Sequence, residues 1–314
     1  MSRVCLFLLL GSMVFADSPT ERPTKITPGK VVIPTDRMRR IWGELVSLDF
    51  QTRTGVFRNE KTDELMPFTV LPYAELLHHA TRGDLQDFRV GERALFRLHE
   101  DAEGRWTYLT YIQDELNFLS GHKEYYFVEA IDVATGNLTT TLASLDKTHV
   151  RESNVVLRTD ADTRYWKSGK TASFADIQVG DKLLVQAHGA GKGNDRICWK
   201  VLLDDASRDT LRNEQQAVHR QRMKTEGLPG YVDISDRQAL QLTLFPEGKE
   251  LAGTLKLGQR VRISAAAEDR KASTGSAVGT VTAVQVHRDV HEVKIRLVED
   301  GMYQPASVIR LWIE

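Results

Sequence analysis

The stretch FRVGERALFRL (residues 88–98) decides the fold, because it recurs as IQVGDKLLVQA at 177–187 and as LKLGQRVRISA at 255–265. The three copies align without gaps. Each has apolar residues three and one positions before its glycine, then a polar residue, a cation and an apolar residue at every second position. This alternation is typical of a strand with one buried face. Three matching copies indicate a chain built from internal repeats.

The shared glycines Gly91, Gly180 and Gly258 predict a tight turn at the start of each strand. Glycine tolerates a positive φ without strain, and the polar side chain that follows can accept hydrogen bonds from free backbone amides. We therefore interpret the three glycines as structural residues.

The surroundings of the first copy predict a complete small barrel over residues 37–117. Strands are predicted at 41–49, 55–57, 66–71 and 105–112, with a short helix over 73–80 after Pro72. With the strand that follows Gly91, the order is β-β-β-α-β-β. That order is typical of the OB-fold, a five-stranded Greek-key barrel.

The fold class predicted for the whole chain is mainly β, with three tandem small β-barrel modules and one spacer helix. Residues 118–204 repeat the OB-like order, with a polar segment around 164–169 in place of the helix. Residues 228–314 hold fewer strands before the motif and more after it, so the third module is predicted to be divergent or SH3-like. Residues 205–227 predict a helix whose thin apolar stripe favours a solvated spacer.

The first residues predict export. A short basic start precedes an apolar run over residues 4–15, which ends before Ala16 in a pattern that signal peptidase recognises. A cleaved signal over 1–16 is favoured, with an uncleaved anchor as the alternative. Residues 17–36 predict a disordered leader, and no later segment is apolar enough to be an integral membrane segment. The localisation expected is soluble, and periplasmic or extracellular.

Charge and cysteine content exclude other classes. With 42 basic and 43 acidic residues, the chain lacks the positive charge that nucleic-acid binding requires. After cleavage, Cys198 is the one remaining cysteine, so no intramolecular disulfide is expected. Its neighbours in the sequence predict a buried strand cysteine.

A resemblance is carried by TDADTR at residues 159–164 and FADIQVGD at 174–181, more widely by 41–112, and around Gly258 in the third module. In these segments the chain resembles a family of uncharacterised exported bacterial OB-like domains. The resemblance implies an OB-like fold and an envelope or extracellular setting. It implies no catalytic residues.

Motifs of catalysis and cofactor binding are not found, so no cofactor is predicted. The string GAGKGND at residues 189–195 departs from a phosphate loop, because Gln186 stands where the first glycine belongs and Gly193 replaces the Ser or Thr. His287, His291 and Asp289 at a predicted hairpin are metal candidates, although solvated turn residues are favoured. His78 and His79 are predicted to lie on the surface.

Several aromatic residues lie on predicted strands. Tyr108 and Trp199 share the alternation of apolar neighbours and are predicted to point into barrel cores. Trp166 follows a polar stretch and is the better candidate for a ligand contact on the surface.

Together these patterns predict a non-catalytic exported protein that binds or scaffolds an envelope protein or polysaccharide. Recognition is expected at the loops joining strands one to two and four to five, where OB-like barrels bind ligands. The ligand-contact candidates are Trp166, Lys192, Asn194, Arg53 and Arg105. The alternative is an enzyme or metal-handling protein whose site forms between modules.

Overall fold

The computed structural model describes residues 37–189, 193–265, 276–287, 289–301 and 303–314. These residues form three closed β-barrels of five, five and six strands, which confirms the predicted fold class. No helix among the described residues has the length and apolar character needed to span a membrane. The signal and leader predicted over 1–36 lie outside the described residues.

Module 1 is an OB-like barrel. Its strands are β1 (Met38–Asp49), β2 (Thr54–Asn59), β3 (Leu65–His78), β4 (Thr81–Arg82), β5 (Arg93–Glu100) and β6 (Trp106–Asp114). β1 pairs with β2 and β5, and β3 runs parallel to β6, so five strands close the barrel. Phe57 and Phe96 stack at 4.1 Å in its core.

The predicted helix over 73–80 is wrong, because β3 continues to His78. Ala74, Leu76 and His78 are buried, whereas the residues between them are half-buried. This is the period of a strand, and it was present in the sequence. A single 3₁₀ turn, Leu85–Asp87, stands where an OB-fold would place its helix.

Module 2 repeats this barrel. Helix α1 (Glu115–His122) leads into β7 (Glu124–Asp132), β8 (Asn137–Ser144), β9 (Val150–Arg158), β10 (Arg164–Lys167), β11 (Lys170–Ala172), β12 (Lys182–His188) and β13 (Asp195–Leu202). β9 runs parallel to β13 and closes the barrel. Cys198 is buried, as its neighbours predict.

Module 3 is the divergent barrel. Its elements are β14 (Leu228–Asp236), β15 (Ala239–Leu244), α3 (Lys249–Ala252), β16 (Arg260–Ala265), β17 (Ala277–His287), β18 (Val290–Leu297) and β19 (Val308–Ile313). The six strands close in the order β14-β15-β18-β17-β16-β19, and every neighbouring pair is antiparallel. The OB connectivity of the first two modules is therefore absent from this described barrel.

The repeated motif forms the same turn in all three modules. Gly91, Gly180 and Gly258 have φ values of +88°, +93° and +79°. The side chain of the residue after each glycine accepts a hydrogen bond from the backbone N–H of the residue two positions before that glycine. The three N···O distances are 2.9, 2.8 and 3.1 Å. The polar residue of the motif thus holds the turn closed, as predicted for its backbone amides.

Each turn is also hydrogen-bonded to a strand that contains a β-bulge. The amide of the motif glycine donates to a backbone carbonyl of that strand, namely that of Leu45 in module 1, Val128 in module 2 and Val281 in module 3. A β-bulge follows directly in all three cases. In modules 1 and 2 the bulged strand precedes the motif in the sequence, whereas in module 3 the bulged strand follows the motif.

Module 3 contains a fourth turn of this kind. Ala306 has φ +65° and donates its amide to the carbonyl of Val232, and Val232 donates back to Ser307. A β-bulge again follows directly in the strand that this turn contacts, β14, between Val232 and Ile234. The sequence pattern missed this copy because alanine stands in the glycine position.

The cation of the motif forms a salt bridge with a carboxylate in the segment that follows each barrel. Arg93 pairs with Glu115 at 2.9 Å, Lys182 with Asp205 at 3.0 Å and Arg260 with Glu314 at 2.8 Å. Each carboxylate follows the last strand of its own module within three residues. This shared role explains why the motif retains a positive charge.

We expect Gly180→Ala to lower the free energy of unfolding by about 1–2 kcal/mol, because an L-residue is strained at positive φ. Apart from the adjoining residues of the chain, no described residue places an atom within 4 Å of the added Cβ, so the effect reports backbone strain. Gly121→Ala is the control: it also meets open space, but it lies in α1. There alanine is expected to stabilise by about 0.5–1 kcal/mol. Urea unfolding of both variants tests this, and equal signs would contradict it.

Helix α2 (Asp205–Thr225) lies between modules 2 and 3, where a spacer helix is predicted, but it contacts all three modules, so the expectation that it is solvated is wrong. Tyr125 of module 2 donates to Asp205 at 2.9 Å, and Gln216 donates to Thr81 of module 1 at 3.0 Å. The ring of His219 lies 2.7 Å from a backbone carbonyl of module 3. One face of the helix is buried at every fourth residue, namely Ser207, Leu211, Gln215, His219 and Met223. Three of these five residues are polar, which is why a hydrophobicity pattern did not reveal the face.

The core prediction holds for Tyr108, which is buried, and is wrong for Trp199, which is half-buried. Trp199 falls in a register shift, where Gln186 pairs with Lys200 and Ala187 with Cys198. A bulge re-aims the side chain of the extra residue. The ring packs edge-on against His188 and lies 5.3 Å from the guanidinium of Arg89 in module 1.

Candidate functional site

A groove of about 580 Å³ opens on module 1 between the two loops that the sequence singles out. The loop over residues 51–54 and the loop over 100–105 bound it, and strands β1 to β3 form its base. Besides Leu48, Gly55 and Val56, its lining is of three kinds: hydroxyl groups of Ser47, Thr54, Thr69 and Thr107; charged groups of Asp49, Asp101, Glu103 and Arg105; and the rings of Pro67, Phe68 and Tyr108. We call it the module 1 groove.

Two aspartates shape the rim of the module 1 groove. Asp101 accepts hydrogen bonds from the backbone amides of Glu103 and Arg105 at 3.0 and 2.8 Å, and from the hydroxyl of Thr107 at 3.0 Å. Burial raises the pKa of Asp101, but these hydrogen bonds outweigh it and lower the pKa. Asp49 likewise holds the amides of Thr52 and Gln51, which lower its pKa. Both loops are therefore fixed by ionised carboxylates at neutral pH.

Exposed charges remain at the mouth of the groove. The side chains of Glu103 and Arg105 are 61% and 69% exposed and lie 3.2 Å apart. Arg105 also donates from Nε to Asp101 at 2.9 Å. A ligand can reach both side chains without displacing a buried group.

The remaining ligand-contact candidates do not converge on the groove. Arg53 is buried, with Nη1 2.6 Å from Glu247 of module 3, so it is a contact between modules. Trp166 is half-buried against the core of module 2. Asn194 is exposed and donates to the carbonyl of Ser153 at 3.2 Å. Lys192 lies outside the described residues.

The three metal candidates of module 3 are separated. His287 pairs with Val290 across the hairpin and His291 with Val286, so the two histidines lie on opposite faces. His287 is exposed and His291 is buried. Asp289 is held by Arg82 at 2.9 Å and Lys249 at 3.0 Å. The hairpin therefore does not assemble a metal centre from these residues.

A buried polar cluster between modules 1 and 2 was missed, because His78 and His79 were predicted to lie on the surface. His78 is 4% exposed, and its Nε2 lies 3.3 Å from Glu92 and 3.8 Å from Asp114. Strand alternation over 73–78 was the signal that could have placed His78 inside.

The same cluster carries its own cation. One ligand atom each from His78, His79 and Asp114 would lie within 4.8 Å of the others, a spacing that suits a metal ion. However, the ammonium of Lys200 lies 2.8 Å from Nε2 of His79. Burial, the charge of His78 and that of Lys200 lower the pKa of His79, so its ring is neutral and accepts from Lys200. The arrangement is an ion-pair network.

A second such group lies between module 1, α2 and module 3. Asp84, Asp87 and His219 converge, but Nη1 of Arg222 lies 2.9 Å from both carboxylates. Here Arg222 supplies the positive charge that a metal would bring, as Lys200 does in the first group. Both groups hold modules together.

No protein-family model and no curated protein matches this sequence. Among solved structures, the chain is similar to drosophila Unr CSD456, at 12% identity over 88% of this chain and 94% of that one, with a TM-score of 0.20. A TM-score this low transfers neither fold nor function to the chain.

Proposed function

We propose that this is a non-catalytic binding protein of the cell envelope, and that its module 1 groove binds a neutral oligosaccharide. The observation that carries the proposal is the groove itself, which lies between the two loops where OB-like barrels bind ligands. Export, and membership among exported bacterial OB-like domains, are parts of the same proposal. They are supported by the basic and apolar start of the chain and by the repeated glycine motif.

The lining of the groove suits a sugar. Threonine and serine hydroxyls and carboxylates provide acceptors and donors for sugar hydroxyls, while the exposed ring of Pro67 and the edges of the mostly buried Phe68 and Tyr108 rings provide apolar surface. Rims fixed by Asp49 and Asp101 reduce the entropy lost on binding.

Charge favours a neutral ligand over an anionic one. Among the described residues that line the groove, Asp49, Asp101 and Glu103 are acidic and Arg105 alone is basic. A phosphate backbone or a polyuronate would meet net negative charge there, which opposes binding.

Catalysis is disfavoured because the side chains of the His78, Glu92 and Asp114 group, whose pKa values are shifted, are buried. Glu92 and Asp114 are 0% exposed and His78 is 4% exposed, so a substrate cannot reach them while the modules are joined. The two aspartates that line the groove, Asp49 and Asp101, accept hydrogen bonds from backbone amides of their own loops, which is a structural role.

The test is isothermal titration of the purified protein with neutral oligosaccharides (malto-, cello- and chito-oligosaccharides) and with polyuronate fragments. We expect binding within the neutral series, weakened roughly tenfold or more in Glu103→Ala or Arg105→Ala, since a hydrogen bond to a charged group contributes about 1.5–3 kcal/mol. Arg164→Ala, an exposed arginine of module 2, is the matched control and should bind like the parent. Binding of no neutral sugar, or equal affinity in all variants, would overturn the proposal.

A further inference from the structure

Two arginines face each other on the outer surface of module 1, and we call them the arginine pair. Arg40 of β1 lies directly opposite Arg97 of β5 in the antiparallel ladder. Arg97 follows Leu95 by two residues, so it projects from the sheet face on which Leu95 packs in the core of module 2. Directly opposite side chains have Cβ atoms about 4.5–5.5 Å apart, and like charges in such a pair destabilise the sheet.

Within the described part of the chain, the charge of the arginine pair is not neutralised. Among these residues, no carboxylate forms an ion pair with either guanidinium. The charge of Glu75 on β3 reaches Arg97, but the Glu75 carboxylate pairs with Arg82 at 3.5 Å. The exposed Arg39 adds a third positive charge at the same end of β1. An anion that approaches this surface therefore meets an excess of positive charge.

The side chain of Arg97 is fixed by its neighbours. Its guanidinium carbon lies 4.3 Å from the centre of the Tyr111 ring, and the Tyr111 hydroxyl donates to Gln113 at 2.8 Å. A β-bulge begins where Tyr111 pairs with Arg97, and bulges re-aim side chains beside functional sites. Nε of Arg97 is buried without a hydrogen-bond partner among the described residues, so the two Nη groups are the donors that a ligand can reach.

The surroundings of Arg97 disfavour its positive charge. Burial lowers the pKa of Arg97, Tyr111 and Glu75 raise it in part, and Arg40 lowers it again, so that the pKa is lowered. Arginine nevertheless stays protonated in proteins. An anion held between the two guanidiniums would offset both the burial and the repulsion, because an opposite charge favours the ionised form.

We propose that the arginine pair binds a phosphate group, as inorganic phosphate or as a phosphomonoester. The guanidinium fork donates two parallel hydrogen bonds to phosphate oxygens, and it does so while it stacks on an aromatic ring. At pH 7 such a phosphate carries about 1.5–2 negative charges, which matches two guanidiniums, whereas a carboxylate neutralises only one. The site is independent of the module 1 groove, which includes residues 47–49 at the other end of β1.

The experiment is isothermal titration of the full chain at pH 7.5 and constant ionic strength, with inorganic phosphate, glycerol phosphate and acetate. We expect both phosphates to bind at one site, and acetate to bind at least about tenfold more weakly, because it neutralises one guanidinium only. Tighter binding of glycerol phosphate would identify an ester as the preferred form, whereas equal or tighter binding of inorganic phosphate would identify the free ion. A chain that binds neither phosphate, or binds acetate equally well, overturns the proposal.

Substitutions show which residues hold the phosphate. Arg40→Gln and Arg97→Gln should each weaken phosphate binding roughly tenfold or more, because each removes a hydrogen bond to a charged group. Arg97→Lys retains the charge without the fork and should recover part of the affinity. Arg296→Gln is the matched control: it replaces an exposed strand arginine opposite Ala239 and Thr280, and it should bind like the parent. Parental affinity in both glutamine variants, or an equal loss in Arg296→Gln, contradicts the assignment.

Thermal unfolding gives a second measurement. Without phosphate, Arg40→Gln should be at least as stable as the parent, because it removes the repulsion between like charges. Phosphate should raise the Tm of the parent and of Arg296→Gln but not that of Arg40→Gln, and a rise of the same size in Arg40→Gln overturns the proposal. Glu103→Ala, which alters the module 1 groove, should leave phosphate binding unchanged, so the sugar and phosphate proposals can fail separately.

Discussion

Arg93→Met is expected to lower the free energy of unfolding by about 3–5 kcal/mol, because it leaves a buried carboxylate without its cation. Arg93 is 5% exposed and Glu115 is 2% exposed, and Nη1 of the arginine lies 2.9 Å from Oε1 of the glutamate. A second bond joins Nε to Glu60 at 2.8 Å, and the guanidinium lies 4.0 Å from the centre of the Trp42 ring. The hydroxyl of Tyr126 in module 2 also donates to Glu115.

Urea unfolding of a double-mutant cycle measures this coupling. Arg93→Met/Glu115→Leu should recover much of the loss, since replacing both partners removes the unpaired charge. Arg260→Met is the matched control: it occupies the same motif position, but its side chain is 67% exposed, so its pair with Glu314 contributes about 1 kcal/mol or less. Equal losses at Arg93 and Arg260 would contradict the argument.

Glu247→Leu should have a similar effect, about 3–5 kcal/mol, at the contact between modules 1 and 3. Arg53 is 7% exposed and Glu247 is 6% exposed, and their side chains meet at 2.6 Å. The guanidinium also lies 4.0 Å from the centre of the Phe245 ring. Among the described residues its Nε and Nη2 atoms have no hydrogen-bond partner, so the variant leaves the cation buried without its ion-pair partner.

Thermal unfolding of Glu247→Leu, Arg53→Met/Glu247→Leu and Glu250→Leu tests this contact. The double variant should regain most of the stability, because a hydrophobic pair can replace a buried ion pair. Glu250 is exposed in α3, and its substitution should change stability by no more than about 0.5 kcal/mol. A double variant as unstable as Glu247→Leu would show that the loss arises from packing.

The barrels could be predicted from the sequence because their signals are local. A glycine turn followed by alternating residues fixes one strand at a time, and the strand predictions around Gly91 and Gly180 agree with the structure. The helix over 73–80 failed because the expected OB order was preferred to the alternation of Ala74, Leu76 and His78.

The contacts between modules could not be predicted, because they join residues far apart in the chain. Arg53 pairs with a residue 194 positions later, and His78 contacts one 137 positions later. No periodicity records such a contact, so exposed loops and surface histidines were the expectation for both. The motif cation was visible in the sequence, whereas its partner after each barrel was not.

The polar character of these joints has a consequence for synthesis. Module 1 is complete once Asp114 has been made, but its partners in α2 and module 3 follow 137 to 194 residues behind the side chains that they cover. At about 5–20 residues per second, this is a delay of roughly 7 to 40 s. During that time the surfaces left open present Arg53, His78 and Glu92 to water, where charged groups are well solvated. An interface built from ion pairs thus allows each barrel to fold before its partners are made. A hydrophobic interface would leave an exposed apolar surface, which favours aggregation, during the same time.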